Sequence, residues 1–235
     1  ENLVLLNIII SCITSINKIL NLEVYKKDDL TQNQEGRFVS FDHHGRFSGP
    51  DEDKVVEEIN TSLVGANQAI KAADVVIVTL GSAWVYRHFK KNRIVANCHK
   101  IPNTEFEKEL LDVQTIVSSL CETFKKIRIH NSYSKILFTI SPVKHLRDGV
   151  IENQRSKATL ILAINELMKS KDDAIYYFPA YEIVTDELRD YRFFEADHAH
   201  PNQLAIDYVW QRFIETCFSE RAIEKAAEAE KLSKA

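Results

Sequence analysis

The chain has 235 residues, and 45% of them are hydrophobic, which is enough to build the core of one ordinary α/β domain. Its formal net charge is −4, whereas a protein that binds nucleic acid usually carries a strongly basic face. We therefore expect no nucleic-acid partner.

Neither a membrane span nor a cofactor is predicted. The longest apolar run, Leu3–Ile10, is too short to cross a bilayer and lacks the basic start of a signal peptide. The four cysteines are far apart and form no C-x-x-C pair, which favours reduced thiols over disulfides or a zinc site. We expect no membrane partner, no metal, no other cofactor and a cytoplasmic location; the sequence contains no signal for an oligomeric state.

The predicted elements alternate between strands and helices. Continuous apolar runs at Asp74–Leu80, Lys135–Ile140 and Ala174–Phe178 are typical of strands buried on both faces of a parallel sheet, and Leu3–Ile10 is a further candidate. Apolar residues spaced three or four apart predict helices over 55–70, 106–124, 156–168 and 206–217. Thr104 and Glu107 have capping-box spacing for the second of these helices.

This alternation predicts a doubly wound, mainly parallel sheet with helices on both faces, as in the three-layer flavodoxin-like folds. We expect residues 1–218 to form one domain and residues 219–235 to form a charged, alanine-rich helical tail. In such sheets, binding sites form beyond the carboxyl ends of the strands. The polar segments that follow the predicted strands should therefore meet at one rim; they are Gly81–Trp84, Ser141–Gly149 and Tyr181–Pro201.

Asp197 and His200 are the most informative residues at this rim. They are three positions apart, so one turn of backbone can bring the carboxylate against the imidazole ring. Such a carboxylate fixes the tautomer of a histidine general base and stabilises its protonated form. The alternative is a helix-start motif, with Asp197 or His198 near the cap and Pro201 in the first turn.

Several sequence blocks, taken in order, resemble the GSCFA family, a mostly bacterial group related to the SGNH (GDSL-like) acyl hydrolases. They cover about residues 38 to 218 and include Phe-Asp-His-His-Gly-Arg-Phe-Ser-Gly-Pro-Asp, Gly-Ser-Ala-Trp-Val-Tyr and Asp-x-x-His-Pro. The blocks are Phe41–Asp51, Thr79–Tyr86, Asn97–Pro102, Ser141–Gly149 with Asn153–Lys157, Tyr177–Glu182, Asp186–Phe193 and Asp197–Pro201. The resemblance implies an SGNH-hydrolase-like fold, with His200 as the general base and Asp197 as the residue that orients it.

The chain departs from the family pattern in its nucleophile. The family takes its name from a Gly-Ser-Cys-Phe-Ala segment after its first strand, and its serine is the nucleophile of the related hydrolases. Here Ile10-Ser-Cys-Ile-Thr14 is the nearest match, and Ser11 is only thirty positions before Phe41. We expect the first strand and its serine to precede residue 1, with Ser11 as the alternative nucleophile.

The chain departs again at the oxyanion hole, where SGNH enzymes offer Asn in a Gly-x-Asn motif. Ala83 stands at that position and cannot donate a side-chain hydrogen bond. The loop at Gly81, with Ser82, His44 and Ser48 as candidate donors, would have to hold the oxyanion.

Two other polar clusters have more than one interpretation. Arg147, Lys144 and Lys157 could clamp an anionic substrate, or they could pair internally with Asp148, Glu152 or Glu182. The histidines at 43, 44, 198 and 200 could form a metal site with Asp42 or Asp197 as the carboxylate. Adjacent histidines in a strand point to opposite faces, which disfavours that metal site.

The resemblance implies a serine esterase that acts on a small or carbohydrate O-acyl ester, and a chain without its nucleophile would be inactive. The alternatives are a non-catalytic ligand-binding module on the same scaffold and a metal-dependent hydrolase.

Overall fold

The computed structural model describes residues 3–8, 13–170 and 172–224. Within them the strands, in chain order, are β1 (Leu3–Ile8), β2 (Leu30–Gln32), β3 (Phe38–Ser40), β4 (Val75–Leu80), β5 (Trp84–His88), β6 (Arg93–Val95), β7 (Phe106–Leu110), β8 (Lys135–Ile140) and β9 (Ile175–Phe178). The α-helices are α1 (Ile13–Asn21), α2 (Glu52–Ala72), α3 (Val113–His130), α4 (Val150–Met168), the single turn α5 (Ala180–Glu182) and α6 (Gln203–Cys217).

The largest sheet is parallel and has the strand order β1-β4-β8-β9. It contains the four predicted strands, each within two residues of the expected bounds. Leu80 lies beside both Ile8 and Ile140 in the register, so β1, β4 and β8 end together. Their carboxyl ends therefore form the single rim that the sequence predicted.

Alternate residues of the central strands face two different apolar clusters. Val76, Val78 and Phe138 pack with Ile116 and other residues of α1, α3 and α4 on one face. On the other face, a cluster around Leu137 and Phe178 includes residues of α6; its remaining members are Val75, Ile77, Ala180, Ile183, Tyr208, Val209 and Phe213. The structure is thus a mixed α/β fold with a parallel sheet flanked by helices.

The prediction of a helix over 106–124 is wrong in its first part. Phe106–Leu110 is strand β7, which pairs antiparallel with β5 in the three-stranded sheet β6-β5-β7. Helix α3 begins only at Val113, where the carboxylate of Asp112 accepts a 2.7 Å hydrogen bond from Thr115 N. Thr104 and Glu107 therefore form no capping box. The four-residue spacing of Phe106 and Leu110 fits a helix as well as a strand, and pairing with β5 decides between them.

Helix α4 begins six residues before the predicted start at Ser156, directly after Gly149, whose φ is +90°. Glycine adopts this backbone conformation without the steric cost that a Cβ atom would add. The segment from Ile151 to Lys157 is therefore helical. Two buried polar residues, Ser156 and Lys157, consequently project from α4 toward the rim of the parallel sheet.

Three earlier expectations fall partly outside the described residues. Ser11 and Cys12 are not described, nor are residues 225–235 of the predicted tail. The other three cysteines form no disulfide bond in the described chain. Of the described helices, none combines the length and the apolar character needed to cross a lipid bilayer.

Candidate active site

Three connections tie together the segments that follow the strands of the parallel sheet. A side-chain carbon added at Gly81 would lie 3.7 Å from Nε2 of His145. The backbone N–H of Lys144 donates a 3.0 Å hydrogen bond to the carbonyl oxygen of Ala199. The ammonium group of Lys157 donates hydrogen bonds to the first carbonyl oxygens beyond both β4 and β8. The predicted convergence of these segments on one rim is therefore present.

The carboxylate of Asp197 and the imidazole of His200 form a direct pair. Oδ2 of Asp197 lies 2.6 Å from Nδ1 of His200, while Oδ1 accepts hydrogen bonds of 2.8 Å from Ala199 N and 3.0 Å from His200 N. These hydrogen bonds, led by the one from His200 N, hold the pKa of Asp197 well below its usual range. The carboxylate therefore stays ionised and fixes the ring so that Nε2 is available for proton transfer.

The pair lies in a tight turn before the helix, so the helix-cap interpretation of Asp197, His198 and Pro201 is wrong. Within this turn, Glu195 N donates to His200 O at 2.8 Å, and Phe194 forms a β-bridge with Pro201. Helix α6 begins at Gln203, and its cap is Asn202, whose side-chain oxygen accepts a 3.2 Å bond from Ala205 N.

His198 lies in the same turn and packs against a different side chain. Its φ of +58° belongs to the left-handed region, and its ring packs against Tyr191 with 5.0 Å between the centroids. Both side chains of the Asp197–His200 pair remain at least half exposed. The pair is therefore open to a substrate that approaches the rim.

Lys157 is almost completely buried, with 1% of its surface exposed. Its ammonium group donates hydrogen bonds of 2.7 Å to Gly81 O and 2.6 Å to Ser141 O, which are the first carbonyls beyond β4 and β8. Burial lowers its pKa from 10.5 to about 8. Neither predicted role of Lys157 is correct, because its ammonium group is buried and its partners among the described residues are backbone carbonyls rather than carboxylates.

Lys144 and the predicted acidic partners are also engaged elsewhere. The Lys144 ammonium lies 3.9 Å from the centroid of the Phe194 ring, and burial lowers its pKa.

The acidic residues that were predicted as partners bind other side chains. Asp148 pairs with Lys108 at 2.5 Å. Glu152 pairs with Arg155 at 3.0 Å, and both carboxylate oxygens of Glu182 accept from Tyr177. In the described chain, the three basic residues therefore form none of the predicted ion pairs with Asp148, Glu152 or Glu182.

Ser156 is a site residue that the sequence analysis did not identify. It is 2% exposed, and its hydroxyl accepts a 2.8 Å hydrogen bond from Ala83 N and lies 3.1 Å from the hydroxyl of Ser82. The Ser82 hydroxyl also accepts a 3.0 Å bond from Trp84 N. This network fixes the loop after β4. Only its position in a block matching the family pointed to Ser156, because a serine in a helix carries no other signal.

Ser48 and His44 lie in a separate polar network. The hydroxyl of Ser48 donates to Gly45 O at 2.7 Å and accepts from Arg37 Nε at 3.2 Å. The ring of His44 accepts a 3.2 Å bond from Arg46 N at the start of a short 3₁₀ turn. In the described part of the chain, no hydrogen bond joins either residue to Gly81, Ser82 or His200.

A cavity of about 610 Å³, lined by both polar and apolar residues, adjoins the rim on the side of the small antiparallel sheet. Ser82, His145 and Arg147 are among its lining residues. Burial, followed by the charges of Lys157 and His200, lowers the pKa of His145. His145 lines the cavity and also lies beside Gly81 at the rim.

A second cavity, of about 350 Å³, lies on the face of the sheet covered by α6 and is mostly apolar. It reaches Pro201, the neighbour of His200, and Ser141 at the end of β8. The hydroxyl of Thr139 borders this cavity and is buried without a hydrogen-bond partner among the described residues. Two cavities thus adjoin the rim that carries the pair, one with a mixed lining and one that is mostly apolar.

The histidines do not come together as a metal site. His43 is held by Ser40 Oγ at 2.9 Å and by ring contacts with Tyr25 and Phe47, and burial lowers its pKa to about 4. His43 and His44 also follow β3 rather than lying within it. Across residues 3–8, 13–170 and 172–224, no three His, Cys, Asp or Glu side chains are grouped to hold a metal ion.

An α/β fold with an Asp–His pair beyond the ends of parallel strands is the arrangement of a site for acid–base chemistry. The model of the GSCFA family matches residues 4–213, and the chain therefore belongs to the GSCFA family.

No protein with a curated description matches the sequence. One solved structure that is similar in part is the acetyl xylan esterase Est2A from the rumen bacterium Butyrivibrio proteoclasticus, at 18% identity and a TM-score of 0.27. The match covers 45% of this chain and 27% of the esterase chain.

Proposed function

We propose that this GSCFA chain has the scaffold and the acid–base half of a serine acyl-ester hydrolase. The observation that carries the proposal is the 2.6 Å contact between His200 Nδ1 and Asp197 Oδ2 at the rim of a parallel sheet. We also propose a doubly wound, three-layer SGNH-hydrolase-like domain over residues 1–218. The packing of apolar clusters on both faces of the sheet supports this arrangement.

In the proposed reaction, a serine hydroxyl attacks the ester carbonyl while Nε2 of His200 accepts the serine proton. His200 then donates that proton to the departing alcohol oxygen, which leaves the acyl group on the serine. In the second step water attacks the acyl-serine while His200 accepts its proton, and His200 then returns the proton to the serine oxygen as the acid departs. Asp197 keeps the ring in the required tautomer and stabilises its positive charge. Ser11 is the candidate nucleophile within the sequence of this chain.

The negative charge that develops on the carbonyl oxygen needs hydrogen-bond donors. We assign this role to the backbone N–H groups of Gly81 and Ser82, because the side chain of Ala83 offers no donor and the N–H groups of Ala83 and Trp84 already donate to serine hydroxyls. The buried ammonium of Lys157 directly beneath Gly81 adds positive potential at this position. The substrate class is an O-acyl ester of a small or carbohydrate alcohol.

The base assignment is tested by replacing His200 in the full-length protein. His200→Ala should lower the turnover of a chromogenic acetate ester by a factor of about 10³ or more. His130→Ala is the matched control, because His130 is an exposed histidine at the end of α3. Unchanged turnover in His200→Ala would remove His200 from the mechanism.

A non-catalytic binding module on the same scaffold is the competing proposal. A fluorophosphonate probe distinguishes the two, since it labels an activated serine covalently and leaves a binding module unlabelled. Labelling that depends on His200 supports the hydrolase. Ligand binding without labelling and without ester turnover supports the module.

A further inference from the structure

The cavity beside His145 has one cationic lining residue without a partner in the described structure. The lining residues with charged or imidazole side chains are Lys100, Arg147, Asp148, His99 and His145. Lys100 pairs with Glu35 at 2.9 Å, and Asp148 pairs with Lys108. In the described ranges, Arg147 makes no hydrogen bond and no ion pair with another residue.

The pKa values of the two histidines of the cavity are both lowered, which favours their neutral forms. Burial lowers the pKa of His99, whose ring also bonds to Ser40 O at 2.6 Å. Burial, Lys157 and His200 lower the pKa of His145. The charges of Lys100 and Asp148 are each neutralised by a salt bridge. Among the described lining residues, the guanidinium of Arg147 is therefore the charge that has no partner of opposite sign.

Arg147 and Cys98 both line this cavity. Burial raises the pKa of the Cys98 thiol, and the positive charge of Arg147 opposes that increase. An arginine guanidinium presents a planar fork of donors that matches a carboxylate with two parallel hydrogen bonds. The remaining polar lining includes the amides of Asn97 and Asn103, which suit hydroxyl groups.

We propose that this cavity binds the alcohol part of the substrate and that this part is a sugar acid, with its carboxylate held by Arg147. The inference rests on the proposed function, because Ser82 and His145 connect the cavity to the rim that carries the Asp197–His200 pair. A volume of about 610 Å³ lies in the range of small-molecule sites. One uncompensated cation matches one carboxylate, whereas a doubly charged phosphate would retain excess negative charge.

Binding of D-glucuronate and D-glucose to the full-length protein at pH 7, measured by calorimetry or ligand-observed NMR, tests the proposal without any need for turnover. Glucuronate should bind at least tenfold more tightly than glucose. Arg147→Gln should weaken glucuronate binding at least tenfold and leave glucose binding unchanged. Arg155→Gln, which removes an exposed arginine of α4 that pairs with Glu152, should change neither.

Equal affinities for the two sugars, or glucuronate binding that is unaffected by Arg147→Gln, would overturn the subsite. The sugar-acid subsite and the esterase activity can be tested separately. Arg147-dependent glucuronate binding without ester cleavage keeps the subsite and removes the esterase. Ester cleavage at equal rates for acetylated neutral and acidic sugars, in the wild type and in Arg147→Gln, removes the subsite and keeps the esterase.

Discussion

The hydroxyl of Ser156 in α4 lies 2.8 Å from the backbone nitrogen of Ala83, in the loop that follows β4. The two residues are 73 positions apart in the sequence, so this contact fastens the helix to the rim of the sheet. Because the Ser82 hydroxyl joins the same network, one buried serine fixes three consecutive positions of the loop assigned to the oxyanion.

Replacing Ser156 by Ala should destabilise the protein measurably. The change leaves the N–H of Ala83 buried without its acceptor, which costs about 1–3 kcal/mol of unfolding free energy. Urea denaturation measures the loss. Ser118→Ala is the control, since Ser118 is exposed on α3 and makes only a long 3.4 Å contact with Gln114. Equal stability losses in the two variants would contradict the role of Ser156.

Asn202 should prove to be both the cap of α6 and an anchor of the Asp197–His200 turn. Its oxygen caps the helix, and its Nδ2 donates to Arg192 O at 2.7 Å and to Phe194 O at 3.3 Å. Asn202→Ala should lower the unfolding free energy by about 1–2 kcal/mol. Asn202→Asp keeps the capping oxygen and should recover about half of the loss. Full recovery would show that the amide donor contributes nothing.

The unpaired hydroxyl of Thr139 predicts a stabilising substitution. Thr139→Val keeps the shape of the side chain and removes a buried hydroxyl that has no partner in the described structure, which should raise the unfolding free energy by about 1 kcal/mol. Thr123→Val is the matched control, because the Thr123 hydroxyl donates to Ser119 O at 2.9 Å. Thermal unfolding should give opposite signs for the two variants, and destabilisation by Thr139→Val would refute the prediction.

The lowered pKa of Lys157 predicts how stability depends on pH. Between pH 8 and 10.5 the unfolded chain keeps a proton on Lys157 that the folded chain has lost, so the unfolding free energy contributed by this group rises as pH rises. A shift from 10.5 to about 8 corresponds to an increase of about 3 kcal/mol across this window. Below pH 8 both states are protonated and the contribution does not change.

The difference between the stability curves of the wild type and Lys157→Met isolates this effect, because other groups that titrate at high pH are present in both proteins. The wild-type curve should rise relative to that of the variant from pH 8 to 10.5. Parallel curves would show that Lys157 keeps an ordinary pKa in the folded protein.

The sequence predicted the parts of the structure that depend on local pattern. The run Val75–Leu80 was recognisable because a strand buried on both faces must be apolar along its whole length. The Asp197–His200 pair was recognisable because its members are only three positions apart. Strand β7 was misread because Phe106 and Leu110 have helical spacing, and its pairing with β5 depends on residues about 20 positions away.

The interior of the rim could not be predicted for a different reason. A lysine in a helix is usually solvated, and nothing local distinguishes Lys157 from its exposed neighbours. Its burial follows from carbonyl groups that the fold brings to it, one of them 76 positions away in the sequence. The roles of Lys157 and Ser156 therefore emerge only when α4 has been placed against the sheet.

The burial of Lys157 also makes its rate of chemical modification a measure of local opening of the fold. An amine with a pKa of about 8 is a stronger nucleophile at neutral pH than an ordinary lysine, because a larger share of it is unprotonated. With 1% of its surface exposed, it cannot meet an acylating reagent in the closed fold. Its modification rate should therefore measure how often the ends of β4 and β8 separate, while the exposed lysines react at once.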